Sequence, residues 1–463
     1  MAELHDLTAL EQGAAVRDRT VSPLELVEHY AERIARLDGG LGAFVHLTLA
    51  SARAQAEEPL PPGPLAGVPT AVKDLNAVAG VPTAYGSRAF EGFVPTWSDW
   101  VVDKLRDAGT ISLGKTATPE LGLPCYTETD LGPPARNPWD PALSPGGSSG
   151  GAAAAVAAGL VPVAQGSDGG GSLRIPGSVC GLVGLKPARG LISAGPVAGD
   201  LTGLATNGPL ARTVRDAAAL LDVMAGPMPG DPHWAPPPAQ SFLSACDRPP
   251  GRLRVGRTCE PIVPGVEVHP HVRAAYEQAS ALLVELGHEV EDIDPPYGPE
   301  LLSAFSVLWS VSAASAPVPP EREQLLRPLS RWLRERGRAT TAVDFTRATA
   351  TLQAATRRGV QATAAYDVLL LPTLAQPPTA VGAFTDGAEP AEEFARMTRW
   401  TPFTAVFNTT GQPAVSLPLA TSPDGLPIGV MLVGRPADEV TLLSLSAQLE
   451  TARPWAGRHP ALW

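Results

Sequence analysis

The chain has 463 residues, of which 44% are hydrophobic and 18% charged, and its formal net charge is −12. This length predicts an extensive core, and the lack of a clustered basic patch argues against nucleic acid as a partner. No apolar run reaches the roughly 18 residues of a membrane span, and the first residues lack a signal-peptide pattern. Four cysteines without CxxC spacing predict reduced thiols. We therefore expect a cytoplasmic protein without membrane contact.

Helix and strand signals alternate in the first half of the chain. Residues 22–25 form a capping-box pattern with proline at the first helical position, and apolar residues then recur at helical spacing through Leu37. Residues 152–158 predict an alanine-rich helix that can pack very close to a neighbour, because its side chains are small. Short buried strands are predicted at residues 69–73, 111–114 and 161–164.

A change in composition marks the middle of the chain. Residues 226–251 contain eight prolines and are predicted to form a surface linker. A β-α-β pattern follows, and residues 300–365 are mostly helical in pattern. Three further buried strands are predicted at residues 368–372, 414–418 and 428–433. The alternation predicts an α/β fold with a largely parallel or mixed sheet.

Two glycine-rich loops carry serines. Residues 146–151 read Gly-Gly-Ser-Ser-Gly-Gly, and residues 168–174 read Asp-Gly-Gly-Gly-Ser-Leu-Arg. Small neighbours leave a serine open to a substrate, and glycine amides leave room for an oxyanion. Ser148 also matches Gly-x-Ser-x-Gly, the nucleophile elbow of α/β-hydrolases. A hydrolase that uses Ser148 and a histidine base such as His288 is therefore one hypothesis.

Lys73 offers a different base. A lysine next to an aspartate usually faces solvent, but the neighbours of Lys73 also include Ala71, Val72 and Leu75. Desolvation can lower a lysine pKa from about 10.4 toward roughly 7–8, where the neutral amine accepts a proton. Lys73 and the two serine loops together predict an acyl-transfer site without histidine.

The chain contains Lys73, then the 146–151 loop, and then the pattern Asp168-x-Gly-Gly-Ser172-x-Arg174-x-Pro. This order of motifs resembles the amidase signature family of serine hydrolases. The resemblance extends over nearly the whole chain and includes flanking motifs at residues 137–140, 180–187, 408–413 and 425–429. It implies a single domain of residues 1–463, with a large mixed β-sheet covered by helices on both faces. Within this domain it implies a signature core at 66–216, a variable substrate-side region at 252–400 and C-terminal core strands at 401–434; the linker predicted from composition at 226–251 lies between the first two.

The resemblance also implies roles for individual residues. Ser172 is the expected nucleophile, Ser148 the proton bridge after a cis peptide bond, and Lys73 the base of a Ser-cisSer-Lys triad. Backbone amides form the expected oxyanion hole, at Gly169, Gly170, Gly171 and Ser172. Loop support is expected from Asp168, Arg174 and Ser149. The expected border of the substrate pocket is Gly122, Leu123, Cys125 and Tyr126. Family members commonly carry threonine or a small apolar residue where this chain has Gly169.

The implied function is hydrolysis of a neutral, apolar or aromatic amide through an acyl-enzyme, with esters and carbamates as alternative substrates. We expect a small-molecule substrate, no cofactor and no metal, and a homodimer as the default assembly. The pair His269 and His271 lacks a third metal ligand in the sequence. Trp309, Trp332 and Trp400 are candidates for a pocket wall, and the sequence does not rank them.

Two further functional classes are compatible with parts of the sequence. The catalytic subunit of a glutamine-dependent tRNA amidotransferase shares this signature, but it usually carries glutamine after the loop arginine, where this chain has Ile175. A binding module without catalysis is disfavoured because every position of the implied triad is filled. The sequence does not identify the substrate.

Overall fold

The computed structural model describes residues 3–197 and 202–463 of the chain. The strands found in these residues are β1 Phe44–Leu47, β2 Pro69–Lys73, β3 Ile111–Thr116, β4 Val163–Asp168, β5 Val183–Lys186, β6 Thr206–Ala211, β7 Arg254–Arg257, β8 Glu289–Asp292, β9 Val368–Pro372, β10 Ala414–Thr421 and β11 Pro427–Gly434. The helices are α1 Ala9–Arg17, α2 Pro23–Leu41, α3 Leu49–Ala56, α4 Trp100–Asp107, α5 Gly150–Ala157, α6 Arg174–Cys180, α7 Val214–Met224, α8 Phe242–Ala245, α9 Pro270–Glu285, α10 Glu300–Ser315, α11 Pro328–Ala339, α12 Ala342–Ala362, α13 Pro390–Trp400, α14 Val406–Thr410 and α15 Glu439–Ala452.

An eight-stranded sheet with the order β4-β6-β5-β10-β11-β9-β7-β8 forms the core. Neighbouring strands are antiparallel from β4 to β9, whereas β7 is parallel to both β9 and β8. The predicted α/β fold with a large mixed sheet is therefore confirmed. In this sheet the parallel part comprises the β-α-β unit predicted after the proline-rich segment and strand β9, which pairs with β7.

Helices cover both faces of this sheet. Strands β5, β9 and β11 are buried at every position. Because successive side chains of a strand point to opposite faces, complete burial requires cover on both sides. Helices α6, α7, α9 and α15 pack against the central strands and supply this cover.

A small sheet with the order β1-β3-β2 lies beside strand β4 of the large sheet. Polar side chains join the two: Thr70 Oγ1 donates to the Val163 carbonyl at 3.2 Å, and the Lys73 N–H donates to Gln165 Oε1 at 2.9 Å. These bonds bring the end of β2, and with it Lys73, to the end of β4.

Most predicted elements lie where the patterns placed them. The capping box at α2 is present, with the Glu25 N–H donating to Ser22 Oγ at 3.2 Å and the Ser22 N–H donating to Glu25 Oε2 at 2.7 Å. All eight residues of the alanine-rich helix α5 are buried. No helix in the described part of the chain is long and apolar enough to span a membrane.

The proline-rich segment 226–251 differs in part from the predicted surface linker. It contains helix α8, in which Phe242 and Ala245 are buried. Asp222 of α7 accepts hydrogen bonds from the backbone N–H groups of Phe242 at 2.7 Å and Leu243 at 2.9 Å. The segment is therefore anchored to the core at this point, because a buried apolar side chain and two charge-assisted hydrogen bonds hold it there.

Candidate active site

Lys73 and Ser148 meet inside the protein. Lys73 ends β2, and Ser148 lies in the loop before α5; their exposed fractions are 0% and 1%. Lys73 Nζ donates to Ser148 Oγ at 2.7 Å and to Ser167 Oγ at 3.0 Å. The peptide bond between Gly147 and Ser148 is cis. The loop passes so close to Tyr126 that a Cβ on Gly147 would lie 2.7 Å from its backbone, so glycine is required there.

Burial makes Lys73 a weak base that titrates near neutrality. Desolvation lowers its pKa to about 7, although the negative charge of Asp168 opposes this effect. The adjacent Asp74 does not compensate, because its Oδ1 accepts instead from Lys115 Nζ at 2.8 Å in a buried ion pair. In the part of the chain that the structure describes, Lys73 has no ion-pair partner. Its amine can therefore be neutral at pH 7 and above and accept a proton.

Ser172 lies next to this pair, in the turn between β4 and α6. The Ser149 N–H donates to the Ser172 carbonyl at 3.3 Å, and Ser149 Oγ donates to the Ser167 carbonyl at 3.0 Å, so the two serine loops are tied together. Only α5 and β4 separate the loops in the chain, as the sequence predicts. Ser172 is 6% exposed and borders a cavity. Across residues 3–197 and 202–463, nothing hydrogen-bonds to its Oγ.

A buried ion pair supports the Ser172 loop. Asp168 and Arg174 are both fully buried, with Oδ1 and Nη2 2.9 Å apart. Asp168 also accepts from the Gly171 N–H at 2.8 Å and the Leu173 N–H at 3.1 Å. Asn408 Nδ2 donates to Asp168 Oδ1 at 2.9 Å, and Asn408 Oδ1 accepts from Arg174 Nη2 at 2.7 Å. Burial alone would raise the pKa of Asp168, but the charge and hydrogen bonds of Arg174 hold it well below its usual range.

Replacing Asp168 with asparagine should destabilise the protein by about 3–5 kcal/mol, because it leaves Arg174 as an uncompensated buried charge. The free energy of unfolding can be measured with urea. Since the folded pKa is depressed, the carboxylate stabilises the wild type at neutral pH and this contribution is lost as pH falls below about 4. Glu28→Gln is the control, since Glu28 pairs with Arg53 at 2.6 Å on the surface and exposed pairs contribute little. Equal losses in the two variants would contradict the prediction.

The oxyanion-hole prediction needs one correction. The Gly171 N–H is occupied, because it donates to Asp168 Oδ1 at 2.8 Å. The backbone amides of Gly169, Gly170 and Ser172 have no acceptor within the described chain and stay candidates. Gly171 instead has a conformational role: its φ is +135°, and a Cβ there would lie 2.4 Å from Thr404 Oγ1. Thr404 Oγ1 donates to the Gly170 carbonyl at 2.6 Å and so holds the loop from the other side.

The cavity above Ser172 contains about 620 Å³ of empty space, including its open mouth. Every lining residue is neutral, and most are apolar. The large side chains come mainly from α10 and α13, and include Leu302, Phe305, Trp309, Phe394 and Met397. A site of this composition accommodates a neutral ligand, because transferring a charge to it without a partner is costly.

The four residues predicted to border the pocket separate into two groups. Leu123 and Cys125 line the cavity. Gly122 and Tyr126 do not, and the prediction is corrected for both. A Cβ on Gly122 would lie 3.4 Å from Ser148 Oγ, so this residue adjoins the proton-bridge candidate. The ring of Tyr126 stacks on Phe384 at 5.2 Å, and its hydroxyl donates to Glu393 behind the cavity wall.

The structure also distinguishes the three tryptophans. Trp309 lines the cavity. Trp400 is buried behind it, with its indole N–H donating to the Pro377 carbonyl at 3.2 Å. Trp332 packs against Phe394 with ring centroids 5.8 Å apart.

Sequence reasoning missed Ser167, Gln165 and the role of Asn408. Gln165 and Ser167 both bond to Lys73, at its backbone N–H and its Nζ. Their spacing offers a signal, because residues i and i+2 of a strand share a face. The alternate polar positions at the end of β4 indicate a strand face turned toward a polar partner.

The contacts of the histidines do not support a hydrolase that uses Ser148 and a histidine base. His288 is occupied elsewhere: its Nδ1 accepts from the Leu253 N–H at 3.1 Å, and its Nε2 lies 2.9 Å from Gln448 Oε1. All eight histidines belong to the described residues, and none hydrogen-bonds to Ser148 or Ser172.

Potential metal ligands cluster away from this site. His269 caps α9 and accepts from the His271 N–H at 3.2 Å. Over the described ranges, Glu3, His5 and His29 are the only three such residues with ligand atoms close together. His5 Nδ1 and His29 Nε2 are 3.1 Å apart, a hydrogen-bond distance. This group shares no residue with the cavity beside Ser172. The expected lack of a cofactor stays a prediction.

The fold and the site define the class of protein, an α/β enzyme with a buried lysine–serine contact beside a serine in a glycine-rich turn. The Amidase family model matches residues 25–443. The chain therefore belongs to the amidase family, whose members are also called amidase signature enzymes. It is a hydrolase of carbon–nitrogen bonds other than peptide bonds.

Similar proteins include a putative amidase of Synechocystis sp., 40% identical over 96% of this chain and 88% of the relative. An acylamidase of Rhodococcus erythropolis is 36% identical over 99% and 98% of the two chains. The solved structure of 6-aminohexanoate cyclic dimer hydrolase superposes with a TM-score of 0.93 at 35% identity and covers 100% of both chains.

Proposed function

We propose that the protein hydrolyses a neutral, apolar or aromatic amide through an acyl-enzyme on Ser172, with Ser148 and Lys73 completing a Ser-cisSer-Lys triad. The observation that carries this proposal is the 2.7 Å contact between Lys73 Nζ and Ser148 Oγ, buried next to a serine that opens into a neutral cavity. Esters and carbamates are the alternative substrates. The relative named acylamidase supports an amide as the preferred bond.

The buried contact between Lys73 and Ser148 supports the following first half-reaction. Ser172 Oγ forms a bond to the substrate carbonyl carbon while its proton passes to Ser148 Oγ, and the Ser148 proton passes to neutral Lys73. A hydroxyl can donate and accept at once, as this relay requires. The amides of Gly169, Gly170 and Ser172 stabilise the negative oxygen of the tetrahedral intermediate. The carbon–nitrogen bond then breaks, and the amine leaves with the proton returned from Lys73 through Ser148.

Water completes the cycle in the second half-reaction. It attacks the acyl carbon and gives a proton to the same relay, the bond to Ser172 Oγ breaks, and Ser172 regains a proton. The carboxylic acid product then loses its proton to water and leaves as the carboxylate. The neutral lining of the cavity favours release of this charged product, because it lacks a cation to bind it.

A panel of nitroanilides, nitrophenyl esters and carbamates tests the proposed reaction directly. We expect turnover of neutral apolar members, and stoichiometric labelling of Ser172 by a fluorophosphonate, located by mass spectrometry of the peptide. Failure of the folded protein to label and to hydrolyse any member of the panel would overturn the proposal.

The rate should depend on pH through Lys73. Its pKa of about 7 means that the amine is protonated and inactive in acid and neutral in mild base. We expect kcat/KM for a nitroanilide to rise with pH through about 7 and to reach a plateau at roughly pH 7.5–9. Initial rates between pH 5 and 9 measure this profile. A rate that is already maximal at pH 5 would exclude Lys73 as the base.

The cellular location and the oligomeric state of the enzyme are also proposed. All four cysteines are free, as expected in a reducing compartment, and we propose the cytoplasm. The homodimer stays a prediction that light scattering can test.

A further inference from the structure

Trp309 of α10 lies directly against the backbone of the Ser172 loop. A Cβ on Gly169 would lie 3.2 Å from Cζ3 and 3.3 Å from Cη2 of the indole. These distances are shorter than an ordinary carbon–carbon contact of about 3.5–4.0 Å. A side chain at residue 169 would therefore require the indole to shift by a few tenths of an ångström.

Phe305 extends this wall along the loop. It precedes Trp309 by four residues, which places both rings on one side of α10. The rings stack with centroids 5.3 Å apart and planes at 21°. A Cβ on Gly170 would lie 3.5 Å from Phe305 Cζ, an ordinary contact. The two rings therefore lie over the two glycines whose amides are candidates for the oxyanion hole.

This arrangement constrains any acyl group on Ser172. With the carbonyl oxygen at the amides of Gly169 and Gly170, the acyl group lies in the cavity that the two stacked rings line. Flat or unbranched apolar groups can lie along an aromatic face. A group branched next to the carbonyl carbon extends toward the indole, and the Gly169 backbone behind the ring limits its retreat.

We propose that Gly169 and Trp309 are a matched pair that sets the width of the acyl pocket and selects flat or unbranched acyl groups over branched ones. The proposal rests on the proposed function and specifies its substrate class. Gly169 acts through Trp309 as a positioning residue, and Trp309 contacts the substrate.

A double-mutant cycle with hexanoyl, benzoyl and pivaloyl nitrophenyl esters tests the pair. Gly169→Ala should lower kcat/KM for the hexanoyl ester about tenfold, because the new methyl group pushes the indole into the pocket. Adding Trp309→Ala should restore most of this loss. Trp309→Ala alone should raise the ratio of pivaloyl to hexanoyl kcat/KM about tenfold, because it removes the ring that blocks a branch.

Gly170→Ala is the matched control. It adds the same methyl group one residue further along the loop, where the neighbour is Phe305 at an ordinary distance. Trp309→Ala should therefore not restore any activity that Gly170→Ala removes. If Trp309→Ala destabilises the fold, Trp309→Phe replaces it, since a smaller ring relieves the same contact.

Two results would overturn the proposal while leaving the proposed function intact. One is that Gly169→Ala and Trp309→Ala change kcat/KM independently of each other. The other is an unchanged pivaloyl-to-hexanoyl ratio of kcat/KM in an active Trp309→Ala variant. Absence of all hydrolysis and of fluorophosphonate labelling in the folded wild type would overturn both.

Discussion

Replacing Ser172 with alanine is expected to lower kcat on a neutral amide by about 10⁴–10⁶-fold, the range seen when a nucleophile is removed from a serine hydrolase. Ser148 is not expected to form the acyl bond in its place, because it is hydrogen-bonded to Lys73 and does not line the cavity. The KM should change little, since the apolar wall of the cavity is untouched. Single-turnover kinetics on a nitroanilide measure the chemical step.

Ser178→Ala is a suitable control for Ser172→Ala. Ser178 is another buried serine of the same region, and its Oγ accepts from the Gly429 N–H at 3.0 Å. Its loss should change stability and leave the chemistry in place. The opposite outcome, in which Ser172→Ala is active and Ser148→Ala is not, would return the attack to Ser148 and revive the nucleophile-elbow hypothesis.

Replacing Lys73 with methionine is expected to reduce kcat by about 10⁴-fold, because the relay then has no final acceptor for the proton. The rise of the rate near pH 7 should also disappear. Stability should not fall at pH 7, even though two hydrogen bonds to serines are lost. The folded pKa of Lys73 lies below its unfolded value, so folding at pH 7 must neutralise or desolvate the amine, and methionine avoids this cost.

Lys186 offers a closely matched comparison. It is also fully buried, burial lowers its pKa to about 7 as well, and its Nζ donates to the Pro187 carbonyl at 2.9 Å rather than to a serine. Lys186→Met should retain the pH-dependent rise in kcat/KM that Lys73→Met removes. If both variants lose that rise, the titrating group is not Lys73 alone, and the relay needs revision. Rate profiles from pH 5 to 9 and urea unfolding at pH 7 provide both measurements.

Local patterns in the sequence were sufficient to predict the secondary-structure elements and to single out the three residues of the proposed triad. A capping box, a β-α-β pattern and buried apolar runs depend on neighbours in the chain, and these predictions agree with α2, with β7 to β8 and with β9 to β11. The glycine loops are equally local, because each is a run of small residues around a serine that is visible in the sequence. The resemblance to a known family then implied the roles of Lys73, Ser148 and Ser172.

Partners distant in the chain were not predictable in this way. Asp74 adjoins Lys73 in sequence but pairs with Lys115, so it forms no ion pair with Lys73. The Gly171 N–H donates a hydrogen bond to Asp168, and the Tyr126 hydroxyl donates to Glu393 instead of facing the cavity. Each outcome depends on which groups meet across elements, because buried polar groups take the partner that the packing brings within reach.

Residue type and spacing therefore predicted the class of fold, the two serine loops and a lysine able to serve as a base. Only the packing of separate elements pairs Asp74 with Lys115, engages the Gly171 N–H and brings Trp309, of the three tryptophans, to the cavity wall. The physical reason is that desolvation, hydrogen-bond partners and steric fit arise only when separate elements pack. Gly169 illustrates the difference. The residue type is visible in the sequence, whereas its contact with the indole of Trp309 is visible only in the folded structure.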